Sequence, residues 1–381
     1  MQAALQTHVP RYAGAAVARA ARAEEVHNWD QIVTRFPTCR VVHQRGWIRS
    51  IADSIGAEPV HLLFERDREI VGCWPGLVVR MGPVRIFGSP FAGWQTGSMG
   101  PVFDPDRVST AEMMPAAIAL LEDRFNVHHI ELVNGELDHQ AMQGLGFRAE
   151  SVPTMRAPLF PGNESKALKN LKDSARRNIK RAVKLGLQVR FETDGAFVDE
   201  AYSQIKEVFA RGGHAVPFSK RRAIEFFRQM KASGNLAALS VYLPDGNVNI
   251  ATGMFTIAGR ELLLWQWAHR TQYRWYRPTE LMTWTVIQRA MAAGCTTFDM
   301  MGLGDFKTNF GGVSDESQYR WTRSRYRWLT QLRDLTEYAY RWQQSVRGRM
   351  AQRRLQRQVD VRPPDSAATT AAPQAAGDSR A

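Results

Sequence analysis

Cysteine is scarce in this 381-residue chain: Cys39, Cys73 and Cys295 lie far apart and outside any CxxC or Cys/His spacing. That excludes a disulfide scaffold, argues against a zinc or other metal site and favours a reducing compartment. Long apolar runs are also missing. No stretch reaches the ~18 residues of a membrane span, and Met1–Arg22 mixes alanine with arginine instead of forming a signal-type apolar run. A cytoplasmic protein is expected, at most in peripheral contact with an anionic membrane at its inner face. P-loop, HExxH and GxSxG motifs are absent, and nothing points to a nicotinamide site. Acids are few as well: 37 against 50 Lys and Arg, a net charge of +13. What is present, 44% hydrophobic and 10% aromatic residues, is the composition of a folded chain long enough for two domains. The charge implies an anionic partner.

That charge has two sources. Lys166, Lys169, Lys172, Arg176, Arg177, Lys180, Arg181 and Lys184 share a stretch containing only Glu164 and Asp173 as acids. At ~100° per residue they cover half of a helix. Ala167, Leu168, Leu171, Ala175, Ile179, Ala182 and Leu185 take the other half. Asn163 as N-cap and Gly186 as C-cap delimit one amphipathic helix over 164–185. The second source, Arg320 to Arg357, holds eleven arginines against Asp334 and Glu337. It reads as a strand near Trp321 followed by a basic helix over 328–358. The Pro/Ala/Ser-rich remainder from Arg362 reads as disordered.

Between these, periodicity predicts two mixed α/β units: 24–155 after a flexible 1–23, and 156–345 before a basic helical extension and tail at 346–381. Successive strands at 237–242, 249–257 and 261–268 imply antiparallel hairpins in a mixed sheet. The segment Gly294–Gly312 ends a strand near Asp299 and enters a loop with four glycines, two acids and Lys307, a setting suited to a functional cleft. Asp299 reads as a structural partner at the strand end or as a base, and Asp305 as the better base. His214, His128, His129 and Cys295 read as surface or packing groups. Trp265 and Trp267, on one face of a strand by simple alternation, suit the core or a sugar or acyl groove. Phe91 and Trp94 are a weaker case.

The segments LKDSARRNIKRAVKLGL (171–187) and PTELMTWTVIQRAMAAGCTTFDMMGLGDFKTNFGG (278–312) resemble the FemAB-like acyltransferases. The short loop between FDMMG and FK is similar to the CelD or BioF-type acetyltransferase-like branch. This resemblance implies two fused copies of the GNAT fold, an α/β (α+β) architecture, and acyl transfer to an amine or hydroxyl of a glycan or envelope precursor in polysaccharide biosynthesis. By the same resemblance, Lys307 stabilises the oxyanion of acyl transfer. Arg176, Arg177 and Lys180 face a phosphorylated glycan or lipid-linked acceptor. The coenzyme A pyrophosphate loop maps onto Arg274–Glu280, which has no glycine, leaving Arg277 with Arg274 and the amides near Thr279 to hold phosphate. The donor is then acyl-CoA or an aminoacyl-tRNA. The competing reading is a non-catalytic protein that binds nucleic acid or other anions on the same fold.

Overall fold

In the computed structural model, residues 14–326, 328–329, 343, 345–350 and 352 are described. The expected helix over 328–358 lies largely outside the described residues, as residues 1–13 and 353–381 do entirely.

The first half runs β1 (Val17–Ala20), α1 (Ala23–His27), α2 (Trp29–Val33), α3 (Arg45–Ile55), β2 (Glu58–Arg66), β3 (Glu69–Met81) and β4 (Val84–Ser89). It continues through β5 (Val102–Phe103), α4 (Thr110–Arg124), β6 (His129–Asn134), α5 (His139–Gly144) and β7 (Arg148–Ser151). The second half opens with β8 (Thr154–Pro158), α6 (Glu164–Asn170), α7 (Asp173–Lys184), β9 (Gln188–Phe191), α8 (Phe197–Arg211) and α9 (Lys220–Ala232). Then come β10 (Leu236–Tyr242), β11 (Asn249–Ala258), β12 (Glu261–His269), α10 (Pro278–Ala292), β13 (Thr297–Asp299), β14 (Val313–Asp315) and β15 (Tyr319–Ser324).

These strands make two mixed sheets, ordered β1-β2-β3-β4-β6-β15-β7, with β5 on β3, and β14-β8-β13-β12-β11-β10-β9. Each contains one parallel pair, β4 with β6 and β12 with β13, joined through a crossover helix. Local chemistry sets the tight turns. Asp67 and Arg68 both take positive φ between β2 and β3, as a two-residue hairpin of this hand requires.

The expected division of the chain changes in three places. Residues 17–20, expected to be flexible, pair with β2. The boundary at 155/156 falls inside β8, which lies wholly in the second sheet. Finally, β15, expected in the second unit, inserts between β6 and β7 of the first. The halves also share a core. Trp47 of α3 meets Phe226 of α9 edge-on at 5.4 Å, and both are fully buried. Burying such a ring contributes roughly 1.5–3 kcal/mol.

The basic helix is two helices. Asn163 caps the first through Lys166 N (2.9 Å), and Gly186 follows the second at φ 74°. At Leu171 the backbone turns extended (ψ 146°) and the side chain is buried. The Lys172 amide then leaves the helical pattern for Asn309 O at 3.0 Å, tying the basic segment to the Lys307 loop.

Candidate active site

The site grows from the place where β12 and β13 part. They pair only through Glu261–Leu263 and Thr297–Asp299. Beyond that, β12 follows β11 with a bulge, in which Met254 faces Gln266 and Phe255 faces Leu264, leaving Trp265 as the extra residue. The bulge reverses the alternation, which corrects the expectation that Trp265 and Trp267 share a face. Trp265 packs with Leu263 and Ala268 in the core shared with the first half. Trp267 packs on the other side, edge-on to Phe306 at 5.4 Å and near Phe310.

On the β13 side the chain turns through Met301 (φ 48°) and Gly302 (φ 52°) into the 3-10 turn Asp305–Phe310. Gly312 is required there: a Cβ would stand 2.6 Å from Met300 Cε and 2.8 Å from the Lys307 carbonyl. Lys307 sits half-buried, and its Nζ donates to the carbonyls of Met301 and Gly302, the latter at 3.1 Å. Burial lowers its pKa to about 8, with Asp299 opposing. An ammonium has three N–H donors, so one is left for a ligand oxygen.

Asp299 is fully engaged. Its Oδ1 accepts from Thr154 Oγ1 (2.9 Å) and Met301 N (2.8 Å), and its Oδ2 from Arg40 Nη2 (2.6 Å) and Arg156 Nε (3.4 Å). Burial pushes this carboxyl up, but Arg40 leads a set of partners that outweigh it and hold the pKa below the ordinary value. A carboxylate so held is a poor base, which corrects its catalytic candidacy and leaves its structural one. Asp305 is exposed, its carbonyl tied to Thr308 Oγ1 at 2.7 Å. Arg40 also grips Glu261 through both carboxylate oxygens, at 2.9 and 3.0 Å, so one residue of the first half pins β12 to β13. A cavity of about 480 Å³ opens beside this network, lined by Arg40, Ser98, Asn134, Arg156 and Glu261 among others.

At the far end of β12, α10 begins without a side-chain cap, and Arg277 occupies the N-cap position at φ 60°. Arg274, Trp275 and Arg277 are exposed there, while Thr279 is buried with its hydroxyl 3.3 Å from His269 Nδ1. Burial, then Arg211, lowers the His269 pKa and keeps that ring neutral. Helix α7 packs alongside: Arg181 lies over the Trp275 ring at 5.5 Å, and Asn178 donates to Glu280 at 2.9 Å. Arg177, Lys180, Arg181 and Lys184 are exposed on the same helix.

Arg176 departs from its expected role. Its Nη1 donates to the carbonyls of Leu168 (3.2 Å) and Leu171 (2.6 Å), and its Nη2 pairs with Asp173. It closes the end of α6 and is not presented to a ligand.

Each sheet thus holds one parallel pair closed by a crossover helix, and the second pair opens beside a helix end without a side-chain cap. Residues 169–311 match the family model described as the acetyltransferase (GNAT) domain. That segment carries the likeness to GNAT acetyltransferases, and the fold around it is one that solved structures share. The crystal structure of FemX superposes with a TM-score of 0.61 at 14% identity, covering 80% of this chain and 96% of that one. A conserved protein of unknown function from Bacteroides thetaiotaomicron VPI-5482 gives 0.50 at 9% identity, covering 78% and 96%. L-PGS from Bacillus licheniformis gives 0.47 at 11% identity, covering 84% and 97%. No curated protein sequence matches.

His214 is exposed; His129 is buried against Ser324 (2.8 Å), and His128 accepts from Arg85 N (3.1 Å). Cys295 is a buried thiol that burial raises to about 11. Among the described residues no group of His, Cys, Asp and Glu is placed to hold a metal, and no helix is long and apolar enough to cross a membrane. Arg40, Arg222 and His269 were missed. Each sits in a segment with other polar residues and no spacing signal that sets it apart.

Proposed function

We propose that this GNAT acyltransferase moves an acyl group from acyl-CoA to an amine or hydroxyl of an anionic glycan or lipid-linked envelope precursor. The observation that carries this reading is the opening between β12 and β13, with Lys307 on one side and the uncapped, arginine-flanked N-terminus of α10 at its end. Free helix amides with Arg274 and Arg277 suit the donor's pyrophosphate. Lys307 donates its third N–H to the carbonyl oxygen as negative charge develops there. The acceptor nitrogen or oxygen bonds to the acyl carbon, the carbon–sulfur bond breaks, and the acceptor's proton ends on the departing thiolate.

Coenzyme A binding by calorimetry and release of free thiol in a transfer assay test this. Lys307→Met is expected to cut turnover by about 10²–10³-fold with an unchanged circular dichroism spectrum. In the wild type, transfer is expected to fall as pH rises through about 8, where Lys307 gives up its proton. Full activity of the variant would sink the mechanism. A second reading, an aminoacyl-tRNA donor, draws on exposed Trp275 under Arg181 beside Arg177 and Lys180, a stacking and phosphate-binding surface. Tight binding of charged tRNA with none of coenzyme A would select it.

A further inference from the structure

Two arginines, Arg66 and Arg222, are 2% exposed. Arg66 is paired with Glu112. Among the described residues Arg222 faces no carboxylate. It stands in the first turn of α9, where its own helix end is already positive. Its Nη1 donates to Ser50 Oγ at 3.0 Å and its Nε reaches Trp94 O at 3.4 Å. The guanidinium lies 5.5 Å from the Trp265 ring centre and 5.8 Å from that of Phe226. Its Nη2 is buried without a hydrogen-bond partner among the described residues. Burial alone draws the pKa down to about 9. A buried charge with an empty donor costs the ligand-free protein free energy that aromatic contacts only partly return.

Its position connects it to the reaction. Trp265 is the bulged residue where β12 leaves β13. The first-half loop 91–97 lies against the guanidinium: Trp94, whose carbonyl Arg222 reaches, is buried, while Ala92 and Gly93 are exposed. A Cβ placed on Gly97 of that loop would stand 3.6 Å from Met301 Cγ, and the Met301 carbonyl accepts from Lys307. Gln95 holds φ 52°, a left-handed conformation uncommon for a residue with a side chain.

We infer that Arg222 is the docking point for a carboxylate on the acceptor, received under the loop 91–97 beside the Lys307 centre. This rests on the acyltransferase reading above and adds the acceptor's anionic group to it. One guanidinium between aromatic walls matches a single negative charge; a phosphate dianion would leave charge uncancelled in an apolar niche.

The test uses the full chain and acetate as the probe, with chloride and inorganic phosphate as controls. Without acetate, Arg222→Met is expected to melt at or above the wild-type temperature, because an uncompensated buried charge is removed. Acetate is expected to raise the wild-type melting temperature and leave that of Arg222→Met unchanged. A variant that melts lower and responds to acetate as the wild type does makes Arg222 a structural strut and overturns the inference. If Arg222→Met does not fold, calorimetric titration of acetate into wild type and Arg222→Lys decides. Saturable binding weakened about tenfold or more in the lysine variant supports the site, and absence of saturable binding to the wild type overturns it. Coenzyme A is titrated in parallel. Binding of coenzyme A without an acetate response removes this inference alone, whereas an acetate response without coenzyme A binding removes the donor assignment alone.

Discussion

The two sheets follow one plan and finish it in opposite ways. In each, a crossover helix joins two parallel strands: α4 between β4 and β6, α10 between β12 and β13. The start of α4 is closed by its own acid. Glu112 accepts from Ser109 N at 2.9 Å and Ser109 Oγ at 2.7 Å, and it also pairs with Arg66. The start of α10 has no side-chain cap and is flanked by Arg274 and Arg277. A helix N-terminus carries about half a positive charge. Both helices carry a glutamate at the third position, but Glu112 turns back to its cap residue, whereas the buried Glu280 accepts from Asn178 of α7 and leaves the start of α10 without a side-chain cap. The buried carboxylates differ in the same sense. Glu131 on β6 accepts from Ala92 N and pairs with Arg320 of its own sheet, while Asp299 on β13 depends on Arg40 from the other half. One copy of the fold is completed within its sheet, and the other is completed by its neighbour and keeps a helix end open.

Removing the cross-half pin breaks this contrast most severely. Arg40→Met leaves Glu261 and Asp299 buried without their guanidinium, a loss of about 3–5 kcal/mol measured by denaturant unfolding. The sign with pH is defined. Asp299 is held below its ordinary pKa, so its pairing with Arg40 contributes above the unfolded value of about 3.9 and fades as pH falls through the folded one. The gap between wild type and variant should therefore narrow in acid; a gap that widens there would place the stabilisation elsewhere.

A smaller change sharpens the contrast at the helix ends. Arg277 is exposed at φ 60°, a conformation that glycine takes without strain. Arg277→Gly should raise folding stability by about 0.5–1 kcal/mol while weakening coenzyme A binding about tenfold, ~1.4 kcal/mol. Unchanged affinity in calorimetry would mean that the open helix end does not serve the donor.

What could be read from the sequence follows the range of the forces involved. Period and capping are local, so α4, α9, α10 and the hairpin β10-β11-β12 were legible, as were Asn163 and Gly186 as the ends of the basic segment. The break at Leu171 was not, because it exchanges a helical bond for one to Asn309, 137 positions away. The same holds for β15, whose alternation announced a strand but whose partners β6 and β7 belong to the other half. In the site, Lys307 and the arginines before α10 stood out through glycine and charge patterns. Arg40 and Arg222 did not: their meaning lies in burial and in partners from the opposite half. One extra residue at Trp265 sufficed to separate two tryptophans that alternation places together.

The gentlest test acts on the closed helix end alone. Glu112→Gln keeps the shape of the cap but removes its charge. Burial raises the Glu112 carboxyl, yet the Ser109 donors and Arg66 outweigh it and hold the pKa below its ordinary value. Its contribution is thus complete above about 4.3, the unfolded value, and is lost as pH falls through the folded one. The side chain is nearly half exposed, so solvent screens the charge and the expected loss is at most about 1 kcal/mol. Coenzyme A affinity should not move, because the donor's pyrophosphate is proposed to bind at the start of α10 and not at α4. If Glu112→Gln instead creates a second coenzyme A or phosphate site, detectable as added stoichiometry in calorimetry, then the acid in the first half is what silences it. The difference between the two helix starts would then rest on where one glutamate points, Glu112 back to its cap and Glu280 toward Asn178.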